Sequence, residues 1–244
     1  MRALRSSLQF ALAGTALALA SFRSMEAQSV DVQVRVELLQ QHGSRGVDGK
    51  AQKPLDHGDL VVWLSPQPQT DPVVMPGHFR MEQKNKSFSP HLLVVPLGST
   101  VEFPNLDPFF HNVFSQFNGK RFDLGLYEAG STRVVHFDHE GVSFLFCNIH
   151  SQMAAVIVTL RSPYFAVASR SGPLQLHNVP SGDYELHVWA EGADPKALQE
   201  LSRRVHISES QQDLGTMKVY VTVNPGPHKN KFGEDYRPEP EQSY

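Results

Sequence analysis

Only one cysteine, Cys147, occurs among 244 residues. A single thiol cannot close an intramolecular disulfide, complete a four-cysteine zinc site or pair with a second thiolate around two metal ions. Charge of one sign is also scarce. The 22 basic and 25 acidic side chains leave a formal net charge of -3, without the basic excess that electrostatic nucleic-acid binding draws on. No apolar run approaches the roughly 20 residues of a membrane-spanning helix. What is present suits a folded chain: hydrophobic residues make up 40% and charged residues 19%, enough for one or two domains of roughly 150 residues each.

The first 27 residues read as a signal peptide. Met1-Arg2-Ala3-Leu4-Arg5 is a basic start, residues 8–20 form an apolar stretch, and Met25-Glu26-Ala27 ends on a small residue suited to cleavage. As helix, about 13 residues cover only ~20 Å of the ~30 Å hydrocarbon layer. No cysteine lies nearby to carry a lipid. The expected product is periplasmic or secreted, with no membrane span after signal cleavage. A lone cysteine in an exported chain points to a metal ligand.

Past the leader, Val30, Val32, Val34 and Val36 alternate with polar residues, the period of a half-buried strand. Similar runs recur at 60–64, 92–95, 100–103, 133–137, 142–146, 155–160, 184–189, 205–207 and 217–223, separated by Gly, Pro, Asn and Asp clusters. The chain is therefore expected to be all-β. One helix is expected over 195–204, with Asp194 capping it and Pro195 at its first position. Proline-rich joints at 66–72 and 161–163 bracket about 90 residues, enough for a small sandwich. Residues 224–244 carry four prolines among charges and read as a disordered tail.

The chemistry concentrates in Phe146-Cys147-Asn148-Ile149-His150-Ser151-Gln152-Met153, a C-x2-H-x2-M string. With 12 His and 6 Met in the chain, that spacing after a given cysteine arises by chance about once in a thousand. Thiolate, imidazole and thioether are soft donors that suit copper. A blue-copper site needs two histidines, one thiolate and a weak axial methionine, so one histidine must come from elsewhere. His111 is the best candidate, because it follows the rigid turn of Pro104-Asn105-Leu106-Asp107-Pro108 at the start of a strand. Zinc could accept the cysteine and both histidines, but a thioether is a poor zinc ligand.

The stretch from 85 to 160 resembles a cupredoxin domain, the fold of plastocyanin, amicyanin and pseudoazurin, and its short ligand loop is similar to that of amicyanin. Lys84-Asn85-Lys86-Ser87-Phe88, Phe109-Phe110-His111-Asn112-Val113 and Phe122-Asp123-Leu124-Gly125-Leu126-Tyr127 further resemble bacterial plastocyanin-like proteins called methylamine utilization proteins. The resemblance implies a Greek-key sandwich binding one type 1 copper ion through His111, Cys147, His150 and Met153, with Asn112 bracing the cysteine loop. It also implies an electron exit at His150 and a redox partner such as a c-type cytochrome or a dehydrogenase.

Val179-Pro180-Ser181-Gly182-Asp183-Tyr184 resembles a turn of the carboxypeptidase regulatory-like, transthyretin-like sandwich. That likeness implies an outer module of 29–66 joined to 163–223, with the cupredoxin, 76–161, inserted in or adjoining it. On this division 76–161 should fold alone and 163–223 should not.

The remaining histidines carry weaker signals. His136 and His139 lack a cysteine or carboxylate pattern to complete a second site, His91 is expected at a strand start, and His187 is expected to face solvent. The absence of any H-x-H pair, and of a histidine adjoining Cys147, argues against a multicopper oxidase or a two-domain nitrite reductase, and no Ser-His-Asp elbow, phosphate loop or paired-carboxylate pattern stands out. The chain is therefore not expected to be an enzyme. The expected function is single-electron transfer by an exported copper protein; the alternative is a copper-carrying or protein-interaction module without that role.

Overall fold

The computed structural model describes residues 28–41, 54–55, 57–68, 74–116, 119–223 and 228–236. The leader assigned to 1–27 lies outside them. In chain order the early strands are β1 (Ser29–Gln40), β2 (Pro54–Leu55), β3 (Leu60–Gln67), β4 (His78–Arg80), β5 (Glu82–Lys84) and β6 (Ser87–Ser89). Next come β7 (Leu92–Pro96), β8 (Ser99–Pro104), β9 (His111–Ser115), β10 (Phe122–Tyr127), β11 (Thr132–Phe137) and β12 (Gly141–Phe146). After β13 (Ala154–Leu160), β14 (Phe165–Ala168), β15 (Gly172–Pro180) and β16 (Gly182–Ala190), one helix, α1 (Pro195–Leu201), precedes β17 (Arg203–Ile207) and β18 (Asp213–Val221). The all-β class is what the structure shows.

Among the described residues two pairs of sheets and a small two-stranded sheet, β5-β6, share the chain. One pair is β15-β1-β18, with β2 on β1, and β14-β3-β16-β17. Its strands come from both ends of the sequence, since β1 pairs antiparallel with β15 and parallel with β18, while β3 lies between β14 and β16. The other pair is β10-β9-β12-β13-β7 and β11-β8-β4, built wholly from the segment between β3 and β14. Helix α1 begins where the Asp194 carboxylate accepts the Ala197 N–H at 2.9 Å, and it ends at Leu201 because Ser202 is extended and leads into β17. It is shorter than the expected 195–204.

Period-two alternation explains the layering. On β13, Ala155 and Ile157 point into one buried cluster with Val101, Phe103, Phe137 and Leu145, while Val156, Val158 and Leu160 point into the other with Val61, Val62 and Trp189. The β13 sheet is thus apolar on both faces and cements the two sandwiches together. Trp189 and Phe144 meet across that junction at 6.4 Å. His187 corrects the expectation of a solvent-facing residue. Its ring stacks on Trp63 at 5.0 Å in the cleft between sandwiches, where burial lowers its pKa.

Of the tail expected over 224–244, the structure describes residues 228–236, and 224–227 and 237–244 lie outside the described residues. Residues 228–236 run back over the end of β12, where the His228 ring lies 4.3 Å from that of Phe146. The low apolar content that suggested disorder is offset by specific hydrogen bonds, described below.

Candidate metal centre

The C-x5-M spacing within the motif has a structural cause. Strands β12 and β13 pair with Phe146 opposite Ala154, so Cys147 and Met153 face each other one step beyond, at the mouth of the hairpin. Residues directly opposite share a face, and this face is the inner one: Cys147 and Met153 are both fully buried in the cluster that holds Leu145 and Ala155. Two backbone bonds close the loop, Cys147 N–H to the Met153 carbonyl at 3.2 Å and Met153 N–H to the His150 carbonyl at 3.1 Å. The second bond turns His150 back toward the cysteine.

His111 arrives from β9, which pairs with β12 at Phe114 and Phe146. Alternation from Phe114 puts Val113 and His111 on the face of Cys147. The Cys147 Sγ lies 3.9 Å from His111 Nδ1 and 3.5 Å from His150 Nδ1. A trigonal site with bonds of about 2.0–2.3 Å sets its donors roughly 3.5–4 Å apart. The three side chains therefore fit one soft metal ion, with Met153 buried in the same cluster as the thiolate.

A chain of contacts fixes His111. Asn85 and Lys86 both have positive φ, 56° and 53°, and form the two-residue turn between β5 and β6, the geometry of a type I′ hairpin. Their N–H groups converge on the buried Asp107 carboxylate at 2.6 and 2.9 Å. Asp107 in turn lies 2.8 Å from His111 Nε2. An ionised carboxylate only accepts, so Nε2 carries the proton and the Nδ1 lone pair is left facing the thiol. Burial opposes the charge on Asp107, but the Lys86 N–H, the His111 imidazole and the Asn85 N–H outweigh it and hold the carboxyl below its ordinary pKa. Asp107 and the 85–86 turn were not singled out as parts of the site from sequence.

Asn112 behaves differently from its expected role. Its amide donates to Asp123 Oδ1 at 2.7 Å and to the Gly125 carbonyl at 3.0 Å, not to the cysteine loop. The irregular register between Asp123 and Leu126 swings those acceptors toward β9, and Asn112 Oδ1 is left without a hydrogen bond among the described residues. The loop is held from the tail instead. Lys231 N–H donates to Asn148 Oδ1 at 3.0 Å, and the Tyr236 hydroxyl donates to the Cys147 carbonyl at 2.6 Å.

The surroundings are apolar. Phe109 packs on both imidazoles, at 5.2 Å from His111 and 5.5 Å from His150, while Leu106, Phe110, Leu126 and Ile149 are exposed. Of the four sequence-predicted ligands, only His150 keeps any measurable exposure, 7%; the others are at 0%. Among the weaker candidates, His139 pairs with the exposed Asp138. His91 meets Glu191 at 2.9 Å, beside Asp59, where the two sandwiches join.

Neither a family model nor a curated protein matches the chain. Solved structures match part of it. A purple cupredoxin from Nitrosopumilus maritimus is 24% identical, covering 33% of this chain and 98% of its own at a TM-score of 0.30. An amicyanin mutant, in its reduced Cu(I) form, is 18% identical over 36% of this chain and 87% of its own, with a TM-score of 0.31. A copper-containing nitrite reductase from Thermus scotoductus is 21% identical, at a TM-score of 0.32; the match covers 51% of this chain but only 28% of the reductase.

Proposed function

We propose that this chain is an exported type 1 copper protein that carries single electrons between redox partners. The observation that carries the proposal is the placement of His111 Nδ1 and His150 Nδ1 at 3.9 and 3.5 Å from the buried Cys147 Sγ. In this reading His111, Cys147, His150 and Met153 would hold the copper ion. The bound copper supplies a one-electron couple between Cu(II) and Cu(I).

The protein's own part is to hold its donors still. Asp107 orients His111, the β12–β13 register sets Cys147 against Met153, and the apolar shell excludes water. Three donors with 0% exposure and a fourth, His150, with only 7% suit retention of a resident ion better than release of cargo, which favours electron transfer over copper carriage. The His150 edge, within a rim of Phe110 and Ile149, is the proposed electron port, since brief redox encounters use small contacts. The partner would be a c-type cytochrome or a dehydrogenase, and the compartment periplasmic or extracellular. Among the described residues no helix is long and apolar enough to cross a membrane. In this reading the outer sandwich would be the regulatory-like, transthyretin-like module.

Voltammetry of the copper-loaded protein tests the role. A carrier gives a reversible one-electron wave over many cycles at constant copper content. Loss of copper at each reduction would sink the electron-transfer role and leave copper carriage.

A further inference from the structure

The C-terminal segment 228–236 connects the two chain segments that bear the candidate ligands. On the side that follows His111, the Gln116 amide donates to the Lys231 carbonyl at 2.7 Å, and the Lys231 ammonium meets Asp123 Oδ2 at 2.8 Å. The other oxygen of Asp123 accepts from Asn112. On the cysteine side, Lys231 N–H reaches Asn148, the Tyr236 hydroxyl reaches the Cys147 carbonyl, and His228 covers the ring of Phe146. The segment also folds on itself: Asn230 Oδ1 accepts from the N–H groups of Phe232 and Glu234 at 2.9 and 3.0 Å.

We propose that residues 228–236 are a strap that positions the cysteine loop of the centre, with Tyr236 as its chief positioning residue. A brace between the two ligand segments therefore exists, but it runs from Asn112 through Asp123 and Lys231 to Asn148. His228 covers the Phe146 ring on the face of β12 opposite the thiolate, so that contact steadies the end of the strand that leads into Cys147. The effect on a metal centre rests on the copper reading, but the strap itself is a property of the chain and is measurable without metal.

The test uses the full chain in two variants, Tyr236→Phe, which removes one hydroxyl, and the triple variant His228→Ala/Lys231→Ala/Tyr236→Ala. In metal-free protein the rate of Cys147 modification by dithionitrobenzoate reports local opening of the loop. Tyr236→Phe should raise it about fivefold, the worth of one hydrogen bond, and the triple variant more, with the global melting curve nearly unchanged. In Cu(II)-loaded protein the same variants should shift the thiolate-to-copper band and speed copper loss to a chelator. Thiol rates within about twofold of wild type in both variants would overturn the strap. If wild type takes up no copper while the thiol rates still rise, the strap stands and the copper reading fails.

Discussion

The electronics of the centre turn on Asp107, because it decides which nitrogen of His111 faces the thiolate. On the copper reading, a carboxylate hydrogen-bonded to a ligand imidazole makes that ligand a stronger donor, which would favour the more highly charged Cu(II). Asp107→Asn replaces a charge-assisted bond with a neutral one weaker by about 1 kcal/mol, so the reduction potential should rise by roughly 40 mV. Met153→Gln should move it the other way, because an amide oxygen is a harder donor than a thioether. Protein-film voltammetry checks both; a potential unchanged from wild type would remove the substituted residue, Asp107 or Met153, from the account. Cys147, His150 and Met153 are legible in sequence because they lie on one short loop. Asp107 is not, since its importance depends on a turn 21 residues earlier that only folding brings beneath it. Tyr236 and His228 were hidden by a tail whose composition resembles disorder.

At the scale of elements, the alternating runs locate long strands such as β1, β13 and β16, but not β10 or the nine-residue β15. They miss short ones such as β4, β5 and β6, whose three residues give too little periodicity to register. Sequence also cannot say what covers a strand's second face. The expectation that 76–161 folds alone treated the outer face of β13 as ordinary surface, yet Val156, Val158 and Leu160 are buried against the outer sandwich, as is Val94 of β7. Exposing four such side chains costs several kcal/mol at about 1.5–3 kcal/mol each. The fragment 76–161 should therefore unfold at much lower denaturant than the full chain and self-associate, and Val156→Thr with Val158→Thr should restore a monomer. Sedimentation velocity with urea melts decides this; a monomeric fragment as stable as the full chain would show that the packing contributes little.

Across the whole molecule, His91 and Glu191 tie the inserted sandwich to the outer one. The Glu191 hydrogen bond raises the pKa of His91, and the same bond lowers that of Glu191, burial opposing in each case. Nearby Asp59 is raised by burial. The raised His91 stabilises the fold below its ordinary value of 6.5 and loses that effect as pH climbs through its raised pKa. Glu191 stabilises above its ordinary value of 4.5 and loses the effect as pH falls through its lowered pKa. The latch is thus strongest between those two values. Both side chains are more than a third exposed, so solvent screening keeps its worth under about 1 kcal/mol. Glu191→Gln should lower the melting temperature of metal-free protein by roughly 1–2 °C at about pH 6 and by less at about pH 8. An equal loss at both pH values would mean His91 is not charged in the pair.

The central claim is that one thiolate and two imidazoles close on a single copper ion, and the visible spectrum of the full chain titrated with Cu(II) tests it most directly. Only a thiolate bonded to Cu(II) gives an intense charge-transfer band in the visible region. The account predicts such a band, saturating at one copper per chain and absent from Cys147→Ser. A faint band typical of nitrogen and oxygen donors, or an intense one that survives Cys147→Ser, would contradict it.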